Sequence, residues 1–128
     1  MRISITNVLV DDLDKALAFY TDILGFVKKI EIPMGETKWI TVVSKDDQQG
    51  VELLLEPIAF EPAEIYQREL YEAGIPYTSF QVNSIDYEYE RLRDLNVDFS
   101  MRPTTMGTVK MAIIDDTCGN KIQLIEVL

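Results

Sequence analysis

The chain has no histidine among its 128 residues, and that absence removes more chemistry than any other feature of its composition. Histidine is the commonest transition-metal ligand and the side chain that ordinarily titrates near neutral pH. No Ser-His-Asp or Cys-His catalytic arrangement can therefore be built. Cysteine occurs once, as Cys118, which excludes an internal disulfide and suits a reducing compartment. Its setting, DDTCGN, has no basic neighbour to activate the thiol, so a nucleophilic role is disfavoured. Basic residues are scarce, 12 against 22 acidic ones for a net charge of −10, and such a field opposes binding to nucleic acid. No apolar run approaches the roughly 20 residues of a membrane span. The start, MRISITNVLV, runs into β-favouring sequence without a signal-peptide layout. The expectation is a cytoplasmic protein that engages neither nucleic acid nor a membrane.

What is present suits one compact domain: 47% hydrophobic against 27% charged residues is ordinary for a globular chain with a real core. Its organising stretch is residues 3–26. Ile3, Ile5, Val8 and Val10 favour a strand, Asp11 and Asp12 offer a helix N-cap, and Leu13, Leu17, Tyr20 and Leu24 recur on one helical face before Gly25 stops it. A looser copy follows. Val82 falls on Val10 at an offset of 72, Ser84 can cap, and Ile85, Tyr89, Leu92 and Leu95 repeat the stripe. The same offset lays Met106 and Gly107 on Met34 and Gly35, which points to a tandem duplication.

Each half reads as βαβββ. The first has strands at 3–10, 26–33, 37–44 and 51–56, with a turn at Met34, Gly35 and Glu36 and a polar loop at 45–50. The second has strands at 77–82, 98–102, 108–114 and 121–127, with its helix at 84–95. A connector at 58–76 carries a short helix predicted over 62–73, with Pro62 opening it and Gly74 closing it. The expected architecture is α+β: modules 1–57 and 77–128 form a curved, incompletely closed mixed-sheet barrel around a shared cavity, within a single domain 1–128.

Strand alternation predicts the lining of that cavity. Val8 and Val10, with Phe80 and Val82, suit the side covered by helices, which turns Ile5, Asn7 and Leu9, and Tyr77, Ser79 and Gln81, the other way. The same parity selects Lys121, Gln123 and Ile125 in the last strand. Neutral hydrogen-bonding groups on an apolar concave surface describe a small-molecule pocket. The candidate lining is Asn7, Trp39, Tyr77, Ser79, Gln81 and Gln123, with Trp39 less determined because TKWITVVS has no clean alternation. Against it stand mutual satisfaction of the polar groups and core roles for Tyr77 and Trp39. Met34, Met101, Met106 and Met111 read first as core filling. Glu52 and Glu56, of parity opposite to Leu53, read as surface carboxylates before proton-transfer groups. No catalytic residue is assigned.

The pattern V-x-D-L-x-x-x-L-x-F-Y-x-x-x-L-G-F at 10–26, the run VELLLEP at 51–57, I-D-x-x-x-x-x-L at 85–92 and D-x-x-G-N-x-I-Q-L at 116–124 together resemble the vicinal oxygen chelate superfamily. That group contains glyoxalase I, extradiol dioxygenases and bleomycin-binding proteins, and the resemblance covers the whole chain. It implies a fold rather than one reaction. Metal-dependent members place one ligand on the first and one on the last strand of each unit. By that resemblance the positions fall on Ile5 and Tyr77, on Gln123, and on either Leu53 or Glu52. An internal overlay at an offset of 70 selects Leu53. The resemblance then implies no metal, no cofactor, a small organic ligand as partner, and a homodimer. The alternative is a lyase, isomerase or dioxygenase with nonstandard ligands such as Glu52 and Gln123.

Overall fold

A computed structural model describes residues 1–128. The chain separates into two compact units, Met1–Glu64 and Ile65–Leu128. Backbone pairing gives each its own four-stranded mixed sheet, and the two sheets are not closed into a barrel.

In the first unit β1 (Ile5–Val10) leads into α1 (Leu13–Ala18), then β2 (Val27–Met34), β3 (Thr37–Val43) and β4 (Glu52–Pro57). The sheet order is β1-β4-β3-β2, with β1 parallel to β4 and the rest antiparallel. A connecting helix, α2 (Glu61–Glu72), runs from the first unit into the second, which repeats the order with β5 (Thr78–Gln81), α3 (Ile85–Asp94), β6 (Phe99–Met106), β7 (Val109–Asp115) and β8 (Lys121–Val127), arranged β5-β8-β7-β6. The βαβββ reading holds twice.

The duplication is visible at atomic detail. Asp12 and Ser84 cap their helices with φ/ψ of −146°/114° and −146°/113°, each side chain accepting from the backbone N–H three residues on. Gly35 and Gly107 both stand at φ +64° in the hairpin turns, a left-handed conformation that suits glycine.

The helical stripe of the first half differs from expectation. After Ala18 the helix widens into a π turn over Phe19–Ile23, with the Leu24 N–H bonding the Phe19 carbonyl at 3.0 Å. The Thr21 hydroxyl also donates to the Leu17 carbonyl at 2.7 Å. The buried residues are therefore Ala16, Phe19 and Tyr20, while Leu13, Leu17 and Leu24 are only half-buried. A π turn amounts to one inserted residue, so the left-handed stop falls on Gly25 (φ +90°) here and on Asn96 (φ 63°) in the second half, an offset of 71. In α3, Ile85 and Leu92 are buried as expected, but Leu95 is exposed and Val97 is buried instead.

The edge strands β2 and β6 run through Pro33 and Pro103 to Met34 and Met106. The sequence reading ended them at residues 33 and 102. An edge strand tolerates a residue without an N–H, and β6 takes Pro103 inside a register shift between Met101 and Thr104. That irregularity restores the offset of 72, since Ile32 pairs with Trp39 and Thr104 with Met111. The connector helix α2 starts one residue earlier than expected, with Pro62 second, and ends at Glu72 ahead of Gly74 at φ +71°.

Candidate functional site

Three contacts fix which face of the second sheet its helix covers. The Ile85 N–H donates to Glu126 Oε2 at 3.1 Å, Lys110 Nζ to Asp86 Oδ2 at 2.8 Å, and the Tyr89 ring meets Phe99 edge-on at 4.9 Å. Glu126, Lys110 and Phe99 share their side with Ala112, Ile114, Ile122 and Leu124, which are buried. Alternation turns Ser79, Gln81, Gln123, Ile125, Met111 and Ile113 to the opposite face.

On that face the expected polar group assembles. Ser79 lies opposite Gln123, and its hydroxyl donates to Gln123 Oε1 at 2.5 Å. Gln123 Nε2 donates to the Met111 sulfur at 3.3 Å. Gln81 is exposed one pleat further on, opposite Ile125. Tyr77 stands just before β5, half-buried, with its N–H on the Lys121 carbonyl at 2.8 Å and its ring edge-to-face with Tyr66 of α2 at 6.1 Å.

Beside Tyr77, α2 closes the end of this sheet. Tyr71 donates its hydroxyl to Asp115 Oδ2 at 2.5 Å while Lys121 Nζ lies 4.5 Å above its ring. The hydrogen bond to Asp115, then burial, pushes the Tyr71 phenol pKa up. Gln67 of α2 donates to the Cys118 carbonyl at 3.2 Å and to Asn120 Oδ1 at 3.1 Å. In the same turn fully buried Asp116 accepts from the Cys118 N–H, the Asn120 N–H and the Asn120 amide at 2.7, 3.0 and 2.7 Å. Cys118 is buried in this network, so its D-x-x-G-N setting serves the turn.

The corresponding face of the first sheet follows from the duplication. Val8, Val10, Leu53, Leu55, Ile40 and Val42 are buried and take the helix side. Asn7 and Trp39, both half-buried, lie on the other side with Leu9, Thr41, Val43 and Leu54. The structure thus resolves the parity of Trp39 and places it on the same face as Asn7.

Here one expectation is overturned. Leu54 lies opposite both Asn7 and Thr41, and Gln123 lies opposite both Ser79 and Ile113. Since Asn7 matches Ser79 and Thr41 matches Ile113 at 72, Leu54 matches Gln123 at 69, not Leu53 at 70. The polar loop before β4 is three residues longer than its counterpart before β8. Leu53 pairs with Thr6 and points to the helix side, 8% exposed.

The same correction brings in residues that the sequence reading set aside. Glu52 and Glu56 share the face of Asn7 and Trp39. Fully buried Thr41 donates its hydroxyl to Glu52 Oε1 at 2.7 Å, and Lys29 Nζ lies 3.9 Å from Glu52 Oε2. Glu56 stands opposite Leu9. The leucine run 53–55 hides its alternation, and the signal was the pair of carboxylates spaced four apart in phase with Leu54.

The positions discussed for metal ligands carry Ile5 on β1, Tyr77 before β5, Gln123 on β8, and Leu54 or Glu52 on β4. Ile5 and Leu54 have no donor atom, and Gln123 Oε1 already accepts from Ser79. No group of three or more His, Cys, Asp or Glu side chains converges anywhere in the chain. No helix is long and apolar enough to cross a membrane.

The family model described as Glyoxalase/Bleomycin resistance protein/Dioxygenase superfamily matches residues 2–124. The "Uncharacterized protein YurT" of Bacillus subtilis (strain 168) is 50% identical over 98% of this chain and 99% of its own length. A "Probable lactoylglutathione lyase" of Synechocystis sp. (strain ATCC 27184 / PCC 6803 / Kazusa) is 30% identical over 94% of this chain and 92% of its own. Among solved structures, UcmS2 superposes with a TM-score of 0.84 at 30% identity, covering 98% of this chain and 97% of that one.

Proposed function

The chain belongs to the Glyoxalase/Bleomycin resistance protein/Dioxygenase superfamily, and from that premise we propose that it binds a small organic molecule on the sheet faces turned away from its helices, without a metal. The carrying observation is the donor set. Where a metal centre needs several charged or imidazole donors, the chain offers Ile5, Leu54, Tyr77 and an amide already held by Ser79. One carboxylate, Glu52, lies on this face of the first sheet, and it is engaged by Thr41 and Lys29. This set does not fit a divalent transition metal. Apolar area with a few oriented neutral groups instead suits a ligand held by packing and hydrogen bonds.

The test is native mass spectrometry of the purified protein, with a search for a co-purified small molecule, followed by affinity measurements on Gln123→Ala. Loss of one neutral hydrogen bond should weaken the ligand by about 1 kcal/mol. An unchanged affinity for every ligand found would overturn the assignment of Gln123 to the site. A second reading, a lyase, isomerase or dioxygenase with a nonstandard site, is favoured by Glu52 standing on the same face. Calorimetric titration with Ni, Zn and Mn decides between the two, because only the second reading gives a saturable heat that Glu52→Gln removes.

A further inference from the structure

On the face of the first sheet turned away from its helix, Glu56 is half-buried and its side chain makes neither a hydrogen bond nor an ion pair, in contrast to Glu52, which is held by Thr41 and Lys29. No side-chain oxygen sealed from water lacks a partner, so this carboxylate keeps contact with solvent and is open to a cationic partner. Its surroundings say which. Leu9, 4% exposed, lies directly opposite it on β1. On the other flank the β3–β4 pairs run as far as Ile40 opposite Leu55, and Trp39 and Glu56 are the next residue on each strand, on the same face by alternation. Ile32, paired with Trp39, extends the apolar surface to the edge strand and is 51% exposed. One uncompensated negative charge beside an indole on an apolar floor is the combination that recognises an organic ammonium ion: the carboxylate meets the charge, and the ring face attracts the cation and packs on its hydrocarbon body.

The second half lacks this combination. The residues matching Leu9, Glu56, Trp39 and Ile32 are Gln81, Ile125, Met111 and Thr104, without a charge or an aromatic ring among them. We propose that Glu56 and Trp39 form a subsite for a protonated amine on an apolar scaffold, so that the ligand is a cationic organic molecule. The inference rests on the small-molecule reading above and narrows its ligand class. The net charge of −10 favours approach of such a ligand at long range.

Trp39 is the sole tryptophan, so the emission of the full-length protein reports on the subsite directly. The probes are 4-phenylbutylammonium and the neutral 4-phenylbutanol. The ammonium probe should change the emission saturably and bind at least about tenfold more tightly than the alcohol, as expected for a charge-assisted contact. Glu56→Gln should erase that preference, and Glu52→Gln should retain it. Retention of the preference in Glu56→Gln would overturn the subsite. Equal saturable binding of the two probes would also overturn it, while leaving the small-molecule reading intact. No saturable change with either probe would overturn it as well, and the broader reading would then be judged by the Gln123 measurement alone.

Discussion

On the face turned away from its helix the first half sets Leu54 between Asn7 and Thr41, whereas the second sets Gln123 between Ser79 and Ile113. Around those residues the charges also differ. The first half carries Glu52 and Glu56 on this face, whereas in the second the position of Glu52 is Lys121, paired with Asp115 at 3.5 Å, and that of Glu56 is Ile125. Two sheets of identical order can therefore carry complementary chemistry, because the frame depends on which positions are apolar under the helix and leaves the other face free to vary. On the helix side the halves agree closely: Leu55 and Leu124 are 0% and 4% exposed, and Val42 and Ile114 are both 0% exposed.

The comparison can be broken most forcefully on that shared side. Leu55→Ala and Leu124→Ala should each destabilise the protein by about 2–5 kcal/mol through the cavity left behind, and denaturant unfolding should give similar values for the two. A large difference between them would show that the halves do not share a core plan. Somewhat smaller, and confined to one half, is the effect of the β7–β8 turn. Asp116→Ala strips three hydrogen bonds from buried donors and should cost about 3 kcal/mol. In the matching but longer loop of the first half, exposed Asp46→Ala should stay within about 0.5 kcal/mol.

Helix caps sharpen the likeness. Asp12→Ala and Ser84→Ala should each cost about 1 kcal/mol and match each other, given their nearly identical cap geometry. The smallest effect belongs to α2. The folded pKa of Tyr71 lies above the ordinary phenol value of about 10. The protonated phenol thus favours the fold below that pH, and the contribution is lost as pH rises through the folded value. Tyrosinate absorbance should contain a late-titrating component from Tyr71. Asp115→Asn should bring it back toward the ordinary range, and Tyr71→Phe should remove it.

How much of this was legible in the sequence depended on local periodicity. The two βαβββ runs, the caps at Asp12 and Ser84, and the Met34 and Met106 hairpins were readable because each is specified within a few residues. The faces of Ser79, Gln81 and Gln123 were readable because polar residues alternate there with apolar ones. Where alternation disappears, as in Leu53, Leu54 and Leu55, only pairing with β1 and β3 sets the register, and a one-residue slip exchanged the two faces. The π turn at Phe19–Ile23 and the irregularity at Met101 to Thr104 were hidden for a related reason. They are paired departures that cancel in the offset, so a repeat read from matching residues passes over both. Trp39 could be placed only by its ladder.

The central claim is that this face holds its ligand by packing and hydrogen bonds, with no metal between donors that the chain does not supply. Elemental analysis of the protein purified without chelator tests it most directly. The account predicts well under about 0.1 equivalent of Zn, Fe, Mn or Ni, with stability unchanged by EDTA. About one equivalent of tightly held metal, lost to EDTA together with fold or activity, would contradict it.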